Sequence, residues 1–163
     1  VAFPDQVKKL CLLDASGYPR DGQPTPLGFT LMTKEWMKPF LTKITPKAVV
    51  RKTVEACYFD DSKITEPLVQ RYFDLLLREG NREALMGRLA QINHDNANDV
   101  DKVACPTLIM WGDQDKVVWV KDAPRFHENI KGSELIIYEN MGHIPMEEIP
   151  ERTVADFMAF LDR

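Results

Sequence analysis

The stretch "PTLIMWGDQD", Pro106 to Asp115, decides the fold. Its apolar residues run on without alternation, as in a strand covered on both faces of a parallel sheet. Pro106 opens it where a missing N–H is tolerated, and Gly112-Asp113 closes it in a turn. Two further stretches read the same way. "VKKLCLLDAS" (Val7 to Ser16) is stopped by Gly17 and Pro19, and "SELIIYENMG" (Ser133 to Gly142) ends on its glycine. Between the second and third strands, "VKDAPRFHENIKG" has the length of a crossover helix, with Gly132 as its stop signal. After His143, "IPERTVADFMAFLDR" places Val154, Phe157, Met158 and Leu161 on one helical face, and Pro150 suits its first turn. Strand, helix, strand, helix is the pattern of an α/β protein with a doubly wound parallel sheet.

The middle of the chain, residues 20–102, has a different texture. It opens with the turn-rich "RDGQPTPLG" and continues as successive helices. Thr45-Pro46 offers a cap and a first-turn proline to "KAVVRKTVEACYF". Thr65 offers a cap to the next helix, where Leu68, Tyr72, Leu75 and Leu76 share a face. Asn81 does so for a third, with Leu85, Leu89 and Ile92. An all-helical insertion between two parallel strands is expected, placed where it covers their C-terminal ends.

The totals narrow the class. A chain of 163 residues, 44% hydrophobic and 28% charged, is long enough to bury a core and is not disordered in composition. The net charge of −4 is spread over both signs without a basic stripe, so nucleic acid is not an expected partner. No apolar run has the length of a membrane span, and no leader pattern opens these residues. The three cysteines, Cys11, Cys57 and Cys105, form no CxxC pair and no even framework, which favours a reducing cytoplasm. Cys11 and Cys105 read as small packing residues rather than nucleophiles.

Two residues stand where chemistry is done. His143 follows one strand, and Asp115, 28 residues earlier, lies in the loop after the neighbouring strand. In a parallel sheet both loops emerge at the C-terminal edge. A carboxylate there holds one imidazole N–H, fixes the tautomer and stabilises the imidazolium formed when the other nitrogen takes a proton. A lone histidine after a glycine turn is ordinarily a loop residue; the matching Gly-x-x-Asp at the preceding strand end turns that reading around. A metal site built from His143, Glu147 and Glu148 has no second histidine at ligand spacing and is not expected. His127 reads as an exposed helix residue and His94 as a polar loop residue.

"TLIMWGDQDKVV" followed by "ELIIYENMGHIPMEEIPE" and an amphipathic helix resembles the end of the α/β-hydrolase fold. The resemblance implies a catalytic acid in the W-G-x-x-D turn after strand seven and a catalytic histidine in the G-H turn after strand eight. Those positions are Asp115 and His143, with Asp113 two residues too early in the same turn. "FPDQVKKLCLLDASGYP" is similar to the passage into strand six. The implied organisation is strand six over residues 1–19, a helical cap over 20–102, and strands seven and eight with the terminal helix over 103–163.

The same resemblance implies a nucleophile in a G-x-S-x-G turn, with cysteine or aspartate in some branches. Two residues after the eight glycines stand Pro19, Pro24, Thr30, Arg82, Leu89, Gln114, Glu134 and Ile144, none of which fits. Of the three serines, Ser16 follows a strand but lacks the preceding glycine, and reads as loop or pocket lining. Ser62 and Ser133 fall in helix-linking turns. The nucleophile and oxyanion hole are therefore expected ahead of strand six, outside this chain, which alone is expected to be inactive. The open edge of strand six is expected to favour self-association.

The resemblance implies hydrolysis of a small, apolar carboxylic ester by a Ser-His-Asp triad, without cofactor or metal. Carbon–carbon bond hydrolysis of ring-fission products is an alternative. Haloalkane or epoxide hydrolysis follows if the nucleophile is aspartate, and a catalytically inactive binding module is the alternative class. Trp36 and Phe40, with Met37 and Leu41, suit an apolar substrate and equally suit packing within the cap.

Overall fold

A computed structural model describes residues 3–19, 22, 30, 34, 44–91 and 97–163, the side chains of 89–91 and 97–98 excepted. Three strands, β1 (Leu10–Leu13), β2 (Thr107–Gly112) and β3 (Glu134–Tyr138), form a parallel sheet in that order. Leu10 pairs with Thr107 through to Leu13 with Met110, and Leu108 with Glu134 through to Gly112 with Tyr138. Each strand is shorter than the stretch quoted for it, because the flanking residues turn into loops.

The helices, in chain order, are α1 (Lys47–Cys57), α2 (Glu66–Leu77), α3 (Asn81–Gln91), α4 (Asp122–Asn129), α5 (Pro145–Glu148) and α6 (Pro150–Leu161). Short 3-10 turns occupy Pro4–Gln6, Asp61–Lys63 and Ala97–Lys102. The expected crossover helix is α4, and α1 to α3 fall between β1 and β2 as expected.

Every residue of β2 is buried, which explains why its apolar run does not alternate. Its side chains still point alternately to two sides. Ile109 and Trp111 pack with Val117, Val118, Phe126 and Ile130, while Leu108 and Met110 pack with Tyr138 and Phe160. The indole of Trp111 donates to the carbonyl of Val118 at 3.1 Å, so the loop that follows β2 folds back onto the strand. Lys9 donates to the last carbonyls of α6, at Phe160 and Leu161, where a cation also suits the helix dipole.

The insertion has its own cluster of Val50, Val54 and Tyr58 with Leu68, Tyr72 and Leu76, and Ile144 belongs to it. The residue after His143 is thus packed among the inserted helices.

Several local expectations are corrected. The α1 boundary residue is Pro46, with no side-chain cap bond, so Thr45 does not serve as its N-cap. Thr65 does cap α2, accepting from Leu68 N–H at 3.3 Å. Asn81 is the first helical residue of α3 rather than its cap, and its amide donates to Leu75 O at 2.6 Å. In α6 the stripe of Val154, Met158 and Leu161 is exposed, and Thr153 and Phe160 are the buried residues. Thr153 tolerates burial because its hydroxyl donates within its own helix, to Pro150 and Ile149 carbonyls. Leu75 is likewise exposed, and the fully buried residue of α2 is Val69. Trp36, Met37, Phe40, Leu41 and His94 lie outside the described residues.

Candidate active site

The loops after β2 and β3 lie directly on one another. Asp113 N–H donates to Tyr138 O at 3.0 Å and Gln114 N–H to Met141 O at 2.9 Å. Asp113 Oδ1 accepts from Met141 N–H, which gives this aspartate a turn-bracing role. A Cβ on Gly112 would stand 2.0 Å from the carbonyl oxygen of Gly142, backbone against backbone, so only glycine fits there. This stacking carries Asp115 to His143. His143 Nδ1–H donates to Asp115 Oδ2 at 2.8 Å. The other carboxylate oxygen accepts from Val117 N–H at 2.7 Å and Val118 N–H at 2.9 Å. The Asp115 side chain is 0% exposed and that of His143 24%. With Nδ1 committed to Asp115, Nε2 is the nitrogen left to exchange a proton with another group.

A third acid lies beside this pair and the sequence reading passed over it. Asp14 ends β1 with φ +43, in the left-handed region, and is 3% exposed. Its Oδ1 accepts from Gly112 N–H at 2.9 Å, and its Oδ2 has no partner among the described residues. Burial, and after it the charges of Asp115 and Glu148, push its carboxyl up to about 9 against the pull of the Gly112 N–H. Asp14, Asp115 and His143 bring ligand-type atoms within 4.8 Å of one another. Asp115, however, already serves three donors, and Asp14 is held protonated near neutral pH. This donor set therefore suits acid–base work better than a divalent cation.

Glu147 and Glu148, weighed in the sequence as weak ligands, turn instead to the inserted helices. Glu147 accepts from the hydroxyls of Tyr58 (2.7 Å) and Tyr72 (2.9 Å) and from Arg71 (2.7 Å). Burial, then the bond to Glu147, raises both phenols above their ordinary range, so they remain donors. Glu148 is buried and accepts from the backbone N–H groups of Gly142, Phe59 and Asp60. Nothing in the local sequence announces these contacts, whose partners in the insertion lie 75 or more positions away.

The remaining candidates separate from the pair. Ser16 is exposed after β1. Ser133 is buried between α4 and β3, where its hydroxyl meets the exposed His127 at 3.0 Å, and Ser62 lies in the Asp61–Lys63 turn. Burial, followed by the charges of Asp115 and Glu147, pushes the Cys57 thiol up to about 12, which leaves it unreactive.

A cavity of about 230 Å³ opens between the inserted helices and the histidine turn. Val50, Val54, Cys57, Leu76, Leu85 and Ile144 supply most of its wall. Its polar lining groups include the Thr53 hydroxyl, which donates to Val49 O, and the Tyr72 hydroxyl, which is held by Glu147. No ionisable lysine, arginine, aspartate, glutamate or histidine lines it among the described residues.

A family model described as Hydrolase_4, serine aminopeptidase S33, matches residues 5–150. The chain is 27% identical to Lipase 3 of Moraxella sp. (strain TA144), over 98% of this chain and 50% of the lipase. It is 28% identical to the 2-hydroxy-6-oxononadienedioate/2-hydroxy-6-oxononatrienedioate hydrolase of Paraburkholderia xenovorans (strain LB400), over 98% of this chain and 56% of that enzyme. The solved meta-cleavage product hydrolase of Pseudomonas fluorescens IP01 superposes with a TM-score of 0.78 at 20% identity, over 99% of this chain and 58% of that one, which speaks to the fold. The chain thus spans about half the length of the curated relatives it matches.

Proposed function

We propose, for a chain that belongs to the Hydrolase_4 (serine aminopeptidase S33) family, that it supplies the acid and base of a serine esterase acting on uncharged, apolar esters. The observation that carries this reading is the buried Asp115 carboxylate held against His143 Nδ1 at 2.8 Å, with Nε2 turned to other work. A serine from the part of the full-length enzyme outside these residues attacks the ester carbonyl. His143 Nε2 takes the serine proton and returns it to the departing alkoxide. Water then attacks the acyl-enzyme, with His143 taking its proton and restoring the serine hydroxyl. Asp115 holds the imidazole tautomer and stabilises the imidazolium at both steps.

The cavity beside Ile144 supports the substrate class. Among the described residues its wall carries no cation, and burying a carboxylate without a partner is costly. The inserted helices act as the cap over the site. The three unpaired thiols suit the reducing cytoplasm to which we assign the protein.

The second reading is hydrolysis of a carbon–carbon bond, favoured by the similarity to the Paraburkholderia enzyme. That relative is named for a doubly acidic substrate, which a wall without charged groups among the described residues does not suit. One experiment on the full-length enzyme, with the ring-fission dienedioate assayed beside the esters, separates the two. Neutral butyrate and octanoate esters are hydrolysed well, their hemisuccinate counterparts poorly, and His143→Ala lowers kcat by about 10⁶-fold. Unchanged turnover in His143→Ala, or preference for the acidic substrates, sinks the proposal.

A further inference from the structure

We propose that Glu148 is a positioning residue for His143, fixing where the imidazole stands by tying its turn to the cap. The inference rests on His143 acting as the base. His143 lies in a turn only a few residues long, between β3 and α5, and such a turn does not hold a side chain in place by itself. Four bonds link it to α5 and to the end of α1. Gly142 N–H donates to Glu148 Oε1 at 2.6 Å, and His143 N–H donates to Cys57 O at 2.7 Å. Glu148 Oε2 then accepts from Phe59 N–H at 3.0 Å and Asp60 N–H at 3.1 Å, the residues that follow α1. One buried carboxylate therefore bonds the residue before the histidine on one side and the cap on the other.

The contact between the two is close. A Cβ on Gly142 would stand 2.3 Å from Cys57 O and 2.8 Å from Phe59 N, so the histidine turn and the end of α1 touch through backbone alone. Three N–H donors satisfy the Glu148 charge without a cation, and Lys63 binds the main-chain carbonyl of the same residue. Glu147 anchors the other face of α5 through Tyr58, Tyr72 and Arg71. Serine attack depends on Nε2 standing within hydrogen-bond reach of the nucleophile, and a displacement of about 1 Å costs on the order of 100-fold in rate. Glu148 touches neither substrate nor nucleophile, so its effect passes through His143.

The test is steady-state kinetics of the full-length enzyme on a short neutral ester. In Glu148→Gln, which keeps the shape but forces an amide N–H₂ against backbone donors, kcat is expected to fall by about 10- to 100-fold with KM within about twofold. Glu148→Asp, which keeps the charge on a shorter arm, is expected to recover part of that loss. Ile130→Ala, a core truncation in the loop after α4, sets the melting-temperature loss that leaves kcat intact. Wild-type kcat in Glu148→Gln, or kcat falling in Ile130→Ala in step with melting temperature, overturns the inference. If Glu148→Gln does not fold, Glu148→Asp decides: a reduced kcat at constant KM supports the inference, and wild-type kcat overturns it. His143→Ala is measured beside them. Activity surviving there removes the underlying assignment, whereas its loss together with an unaffected Glu148 series removes this inference alone.

Discussion

Two aspartates end neighbouring strands of one sheet, both buried, and their surroundings treat them in opposite ways. Asp115, after β2, meets two backbone N–H groups and an imidazole N–H, so both its oxygens are used. Asp14, at the end of β1, meets a single N–H and keeps one oxygen without a partner among the described residues. Its carboxyl is pushed up to about 9. Burial is common to both, and what differs is the number of donors aimed at each carboxyl.

Gly112 joins the two halves of this comparison, since its N–H serves Asp14 and its Cα lies against the Gly142 carbonyl below His143. A substitution at Gly112 has the largest expected effect on the fold. Gly112→Ala places a Cβ 2.0 Å from a backbone oxygen that no rotamer change can relieve. The expected outcome is a loss on the order of 4–5 kcal/mol in denaturant unfolding, or no soluble protein. A variant melting within a degree or two of wild type would show that the two loops separate easily.

A smaller effect sharpens the Asp14 side. Its folded-state pKa of about 9 lies above the ordinary value of 3.8, so the folded protein holds this proton more tightly than the unfolded chain does. The stability that the proton confers is full below about pH 4 and is lost as pH rises towards about 9. Asp14→Asn keeps an oxygen for Gly112 N–H and removes the titration. Its melting temperature is expected to exceed that of wild type by several degrees at pH 8, and by less at pH 5. An advantage that does not grow with pH would mean that Asp14 is ionised in the fold.

Much of this architecture is legible in the residues. The unbroken apolar runs of β2 and β3 mark buried parallel strands, and loops at the same edge of a parallel sheet bring Asp115 and His143 together. Less legible is anything that depends on which distant N–H a side chain meets. Asp14 sits one residue beyond the apolar run of β1, where its φ and its bond to Gly112 are set by the neighbouring strand rather than by local sequence. Glu147 and Glu148 look like two more surface acids until helices from the insertion arrive to use them. In α6 the helical period was readable, but not which face it buries, because Thr153 satisfies its hydroxyl within the helix and packs inward while Val154 and Met158 face out.

We propose Asp115, and not its buried neighbour, as the acid partner of His143. Its most direct test is the kcat of Asp115→Asn and Asp14→Asn, measured side by side in the full-length enzyme on a neutral ester. A loss of about 10⁴-fold is expected for Asp115→Asn and less than about tenfold for Asp14→Asn. A large loss at Asp14 with Asp115→Asn near wild type would contradict this assignment.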